Sequence, residues 1–157
     1  MISLTVKAES IDTSAALAIV HAASDELQQR YGGEGDSKHL RVDDLRPPLG
    51  LFLVARHEHH LVGGVGLRPI CEPDLHYGEV KRLWVRPDLR RDGIGLVLMN
   101  EIERHAKELG YATLFLETGY AQPEALALYQ SHGWTGIEHY PSGAFSHPHA
   151  HRFTKDI

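Results

Sequence analysis

The chain has 157 residues, 42% of them hydrophobic and 24% charged, with a formal net charge of −5 and a pI of about 6.2. These values suit one globular domain, residues 1–157, large enough to bury a core. They exclude the basic balance of a general nucleic-acid binder, and no apolar run approaches the roughly 20 residues of a membrane span.

The segment Met1–Lys7 is too short and polar for a signal peptide. Cys71 is the only cysteine, so no intrachain disulfide can form, and a cytoplasmic location is expected. The negative charge is compatible with cationic small molecules as substrates.

Residues 2–7 alternate apolar and polar and predict a half-buried strand. Asp12, Thr13 or Ser14 can cap the next helix, in which Ala16, Ile19, Val20, Ala23 and Leu27 form an apolar stripe. That helix stops near Tyr31-Gly32-Gly33. Residues 34–50 are polar and predict a long loop, with a short helix near Val42–Leu45.

Leu51–Ala55 and Leu61–Leu67 read as a hairpin turning at His57–His60. Gly63, Gly64 and Gly66 mark a bulge or a close backbone approach in its second strand. A strand follows over Tyr77–Val85 and a helix over Gly93–Leu109, with Gly110 as its stop. Ala112–Glu117 is a strand and Gln122–His132 a short helix that opens on Pro123. Strands near 133–137 and 149–154 complete the order β-α-β-β-β-α-β-α-β-β. Hairpins mixed with crossovers imply an α+β (α/β) sandwich, one mixed sheet of six to seven strands flanked by helices.

The stretch Leu83-Trp84-Val85-Arg86-Pro87-Asp88-Leu89-Arg90-Arg91-Asp92-Gly93-Ile94-Gly95 runs from strand through a glycine-punctuated turn into a helix. That order puts backbone amides and a helix N-terminus where an anion can dock. With Glu79 to Arg82 before it, the stretch resembles the acyl-CoA-binding motif of the GCN5-related N-acetyltransferases, Arg/Gln-x-x-Gly-x-Gly/Ala, here Arg90-x-x-Gly93-x-Gly95. A second block, Leu116-Glu117-Thr118-Gly119, Gln122-Pro123-Glu124-Ala125 and Leu128-Tyr129-x-x-x-Gly133-Trp134, is similar to the family's later motif. Three positions depart from the pattern. Arg91 stands where glycine is common, Asp92 sets a carboxylate beside the expected pyrophosphate, and Gln122 replaces a frequent asparagine.

The resemblance implies an acetyl-CoA-dependent N-acetyltransferase that works by direct attack in a ternary complex. It places the donor on the amides of Arg90, Arg91, Asp92, Gly93, Ile94, Gly95 and Leu96, with Gln122 nearby. It places the thioester carbonyl on a main-chain amide of the Leu83, Trp84, Val85 region. Tyr129 matches the general acid that protonates the departing sulfur. Glu79 is the candidate base, because an alkylammonium of pKa about 10.4 must lose a proton before it attacks. Glu117 is the second choice.

Tyr31 and Glu34 are the candidate acceptor contacts, in a region that Asp25, Glu26, Asp36, Asp43 and Asp44 make acidic. The expected acceptor is a small primary amine. The alternatives are a protein lysine or N-terminus, or a non-catalytic acyl-CoA sensor. The resemblance also makes a homodimer possible.

Twelve histidines stand out. His147, His149 and His151 would share one face of an extended segment. No metal site is expected, because four-ligand spacing is missing. His139, Tyr140 or the 147–151 group are placed instead near the acceptor. Cys71 reads as an inert thiol.

Overall fold

Among the described residues, seven strands form one mixed sheet in the order β1-β2-β3-β4-β5-β7-β6. The strands are β1 Leu4–Ala8, β2 Leu51–His57, β3 His60–Pro69, β4 Tyr77–Val85, β5 Thr113–Thr118, β6 Thr135–Ile137 and β7 His151–Asp156. Three α-helices among the described residues accompany them: α1 Ser14–Tyr31, α2 Ile94–Glu108 and α3 Pro123–Ser131. The computed structural model describes residues 3–32, 40–119 and 122–157. The expected element order and the mixed α/β layering are both found, as is the short 3-10 turn at Val42–Leu45.

Local chemistry sets the helix ends. Thr13 caps α1, its hydroxyl accepting the Ala16 N–H at 3.1 Å. Gly32, at φ 73°, ends α1 and returns its N–H to the Gln28 carbonyl. One face of the sheet packs under α2, where Leu98, Met99, Ile102 and Ala106 meet Leu53, Val65 and Leu67. The other packs under α1, where Ala16, Ile19 and Val20 meet Phe52 and Val54. One expected core position differs: Leu27 is only half-buried.

The glycines of β3 explain how closely these layers approach. A Cβ on Gly63 would lie 2.6 Å from the Trp84 carbonyl oxygen, and one on Gly64 would lie 2.8 Å from that of Leu53. Larger residues would push β3 away from its neighbours.

Two irregularities of β4 prepare the site. Its parallel pairing with β5 extends only from Tyr77↔Thr113 to Glu79↔Phe115. Beyond that register no pair joins them among the described residues, and a cleft opens there. Opposite β3, the pairs Gly64↔Trp84 and Gly66↔Lys81 leave Arg82 and Leu83 facing Val65 alone. Arg82 takes φ 57°, a left-handed conformation rare for a non-glycine residue. Such a bulge bends the strand and re-aims its backbone groups.

Candidate active site

The cleft between β4 and β5 holds a cavity of about 400 Å³. Val80 to Trp84 form one wall and Leu116 to Gly119 the other. The last turns of α1, Gln122 and Tyr129 of α3, and the 147–150 segment close it. That volume suits a small molecule.

Tyr129 is 6% exposed. Its ring packs edge-on against Trp134 at 6.1 Å and beside Phe153 at 5.7 Å. Burial pushes its phenol well above the ordinary value. The group therefore stays protonated at neutral pH and can act as a donor.

Glu79 does not join Tyr129. It is 1% exposed and absent from the cavity wall. Arg68 Nε donates to its Oε1 at 2.9 Å, and the Tyr140 hydroxyl donates to its Oε2 at 2.8 Å. The register explains this: Glu79 pairs across the sheet with Arg68. Tyr140 is a neighbour that the sequence does not reveal, since 61 residues separate the two.

Glu117 is the β5 carboxylate on the wall. Its side chain is 6% exposed, with His147 Nε2 at 3.7 Å from Oε1. His147 and His149 line the cavity. The segment before β7 is a turn, so His147, His149 and His151 do not lie along one extended strand. Tyr140 instead packs against Phe115 beneath the sheet.

The expected acceptor contacts fare differently. Tyr31 ends α1 on the cavity wall, and its hydroxyl donates to Gln122 Oε1 at 3.3 Å. The same oxygen accepts the Gly119 N–H at 3.0 Å. Gln122 thus shapes the wall between α1 and α3. Glu34 lies outside the described residues, as does Asp36.

Part of the acidic group expected here is paired. Asp43 binds Arg46 at 2.8 Å, and Asp44 lies 3.5 Å from Arg68. Among the described residues of that group only Glu26 is on the wall, and β4 brings the cations Lys81 and Arg82 to the same cavity.

The glycine-punctuated turn lies beyond this lining. Arg91 at φ 71° and Gly93 at φ 84° alternate with ordinary residues, and Gly93 opens α2. Left-handed residues alternating with right-handed ones turn successive N–H groups inward, a concavity suited to anions. The left-handed geometry also accounts for the family's glycine at the Arg91 position. The first bond of α2 runs from Val97 N–H to the Gly93 carbonyl. The amides of Ile94, Gly95 and Leu96 therefore precede the bonded run and point outward from the helix start.

Asp92 is exposed at the rim of the turn. The Ile94 side chain is core, at 1% exposure, and so is that of Val85, at 8%. Only their main chains are available to a ligand. Leu83 and Trp84 do line the cavity.

Thr118 is a wall residue that the sequence reading missed. Its hydroxyl is buried and has no hydrogen-bond partner among the described residues. A polar group in that state is placed to meet a ligand. Cys71 stays outside the site, and burial raises its thiol pKa, which keeps it protonated. Among the described residues no group of three or more His, Cys, Asp or Glu could hold a metal. No described helix is long and apolar enough to cross a membrane.

Comparison with known proteins agrees with this arrangement. Residues 18–134 match the acetyltransferase (GNAT) family. The chain is 34% identical over 135 residues to an IAA acetyltransferase of Azospirillum brasilense, covering 85% of this chain and 86% of that protein. It is 38% identical over 85 residues to human N-acetyltransferase 8, covering 53% of this chain but only 37% of that longer protein. An uncharacterised N-acetyltransferase of Schizosaccharomyces pombe is 39% identical over 95 residues, 60% of this chain and 57% of that one. The fold is shared with the PaiA N-acetyltransferase of Thermoplasma acidophilum, solved with coenzyme A, at a TM-score of 0.72 and 19% identity over 99% of this chain and all of that one. A GNAT family acetyltransferase of Elizabethkingia anophelis, solved with acetyl-CoA, gives 0.70 and 17% identity over 98% of each chain.

Proposed function

Because the chain belongs to the acetyltransferase (GNAT) family, we propose that it moves the acetyl group of acetyl-CoA onto the primary amine of a small molecule, by direct attack in a ternary complex. One observation carries this reading. The β4–β5 cleft sets Tyr129, Glu117 and the bulged β4 main chain around a single cavity of about 400 Å³.

Each part has a task. The turn at Arg90–Leu96 receives the donor's phosphates on main-chain N–H groups, and the α2 dipole adds attraction. The bulge at Arg82–Leu83 directs a β4 amide toward the thioester oxygen. An amide aimed at the developing oxyanion lowers the barrier most where water is excluded. The amine forms the C–N bond as the C–S bond breaks. Tyr129 supplies the proton that the sulfur takes.

Proton acceptance belongs on the cavity side of β5, where Glu117 is the fixed carboxylate. Both oxygens of Glu79 are already bonded to Arg68 and Tyr140, so Glu79 is a structural carboxylate in this reading.

The closed wall of α1 and the 147–150 segment favours a small acceptor over a peptide, and the resemblance keeps a homodimer in view. A thiol-release assay with acetyl-CoA tests the function, run with a panel of small amines beside lysine-bearing and free N-terminal peptides. Turnover with small amines supports the reading, and turnover with peptides alone replaces it. Binding of acetyl-CoA without turnover on any acceptor leaves a sensor.

A further inference from the structure

The cavity presents a second ionisable group beside Glu117, held by a network that the transfer chemistry has not yet used. Resting on the acetyltransferase reading, we infer that His147, oriented by Glu117, takes the proton from the attacking amine, and that Arg152 and Ser146 position the pair.

The sheet register sets Arg152 of β7 directly opposite Glu117 of β5. From there its guanidinium binds the segment before β7 at three points. Nε donates to Ser146 Oγ, Nη1 to the Glu138 carbonyl and Nη2 to the His147 carbonyl. Ser146 Oγ in turn donates to Glu117 Oε2 at 2.7 Å, and the His147 N–H donates to the same oxygen at 3.2 Å. Oε2 thus has two donors, and Oε1 faces His147 Nε2 at 3.7 Å.

Burial decides which of the two groups meets substrate. The Glu117 side chain is 6% exposed and that of His147 37% exposed, and both line the cavity. The buried carboxylate can fix the ring and stabilise its imidazolium, while the more open imidazole reaches the amine. Other charges line the same cavity, Lys81 and Arg82 on β4 and Glu26 on α1, and Arg152 on β7 bonds the His147 carbonyl. The remaining titratable groups are His149 on the same segment, Tyr31 and Tyr129 on the wall, and Tyr140 near Glu117.

The step balances. The ammonium gives one proton to His147, which passes it to solvent. The freed lone pair attacks the thioester carbon. The nitrogen's second proton replaces the one that Tyr129 gives to sulfur. Amide, free thiol and one solvent proton result.

Two measurements test this. The first is an NMR titration of the His147 ring in the protein without acceptor. Glu117→Gln is expected to lower the ring's pKa measurably, the usual effect of losing an adjacent carboxylate. Ser146→Ala should shift it in the same direction by less. The second uses an accepted amine. His147→Gln should cut kcat/KM at pH 7 at least tenfold, leave acetyl-CoA affinity unchanged and abolish the acidic limb of the pH profile. Added imidazole should restore part of the turnover of His147→Ala, and Arg152→Lys should retain more activity than Arg152→Ala.

An active wild type whose His147→Gln variant stays within twofold and keeps its pH profile overturns the inference alone. So does a ring pKa indifferent to Glu117→Gln. A wild type that binds acetyl-CoA but releases thiol with no amine overturns the acetyl-transfer reading, and the inference with it.

Discussion

Arg90 Nη2 lies 2.8 Å from Glu26 Oε1, so the turn assigned to the donor's phosphates is tied to the helix that walls the acceptor side. Arg90 Nε also donates to the Val85 carbonyl at 2.8 Å, which fixes the stem of the side chain. Glu26 and an incoming phosphate would compete for one guanidinium. Arg90→Ala is therefore expected to weaken acetyl-CoA binding about tenfold, within the range of one charge-assisted contact. Glu26→Gln should act in the opposite direction and tighten it a few-fold. Calorimetry on both variants checks the pair of signs. Equal weakening in both would mean that the bridge preforms the turn instead of competing for it.

Tyr31 and Gly119 pack tightly together on the cavity wall. A Cβ at position 119 would fall 2.1 Å from the Tyr31 hydroxyl oxygen. Gly119→Ala should displace the ring, break its bond to Gln122 and lower stability by about 1–3 kcal/mol, as overpacking does. Adding Tyr31→Ala removes the conflict, so the double variant should recover the melting temperature lost through the Gly119 change. Thermal melts of the three proteins decide this. A double variant as unstable as the sum of its parts would show that Gly119 matters for another reason.

Why some of this was legible in the sequence and some was not has a physical basis. The strand–turn–helix device at residues 83–95 is local. Proline, glycine and apolar periodicity specify it within one short stretch, so sequence reading could place it. Tyr129 was legible for the same reason, sitting four residues before Gly133-Trp134. The setting of Glu79 was not legible because its partners Arg68 and Tyr140 reach it through sheet register and through a loop 61 residues away. The Glu117–Arg152 pairing likewise exists only once β5 and β7 lie side by side. Leu27 fits the helical stripe, but α1 extends beyond the core, so the residue meets the cavity instead.

Tyr129→Phe tests the acid directly. Only the hydroxyl is removed, and the ring's packing against Trp134 and Phe153 remains. The expected result is a loss of about 100-fold in kcat, the lower range for general acid catalysis. Acetyl-CoA affinity and melting temperature should change little. A kcat within threefold of wild type would remove the acid role.

Arg30 joins α1 to α3 through Glu124 at 2.6 Å, and this bridge makes a pH prediction. Partial burial alone would raise the Glu124 pKa, but the hydrogen bond and charge of Arg30 outweigh it and hold the carboxyl below 4.5. Its stabilisation is thus fully present above about pH 4.5 and disappears as pH falls through the lower folded value. Glu124 is 49% exposed, so the size is under about 1 kcal/mol. Glu124→Gln should melt slightly lower than wild type at pH 7, and the gap should narrow as pH falls below about 4.5. A gap that does not narrow on acidification would assign the effect to something other than the charge.

Glu79→Gln and Glu117→Gln should separate structure from chemistry. Arg68 Nη2 lies 2.8 Å from Glu79 Oε1, with side-chain exposures of 10% and 1%. Removing the anion leaves the buried guanidinium with Asp44 at 3.5 Å as its remaining carboxylate, so the cost stays below the roughly 3–5 kcal/mol of an uncompensated buried charge. Tyr140 simultaneously loses its charged acceptor, so its raised phenol pKa should fall. Glu79→Gln is therefore expected to lower the melting temperature substantially, while the folded enzyme keeps the wild-type pH profile. Glu117→Gln should do the reverse, with a modest change in stability and a shifted acidic limb. The opposite pattern, a stable Glu79→Gln protein with a displaced pH profile, would return proton acceptance to β4. It would also require the Arg68 and Tyr140 bonds to open during turnover.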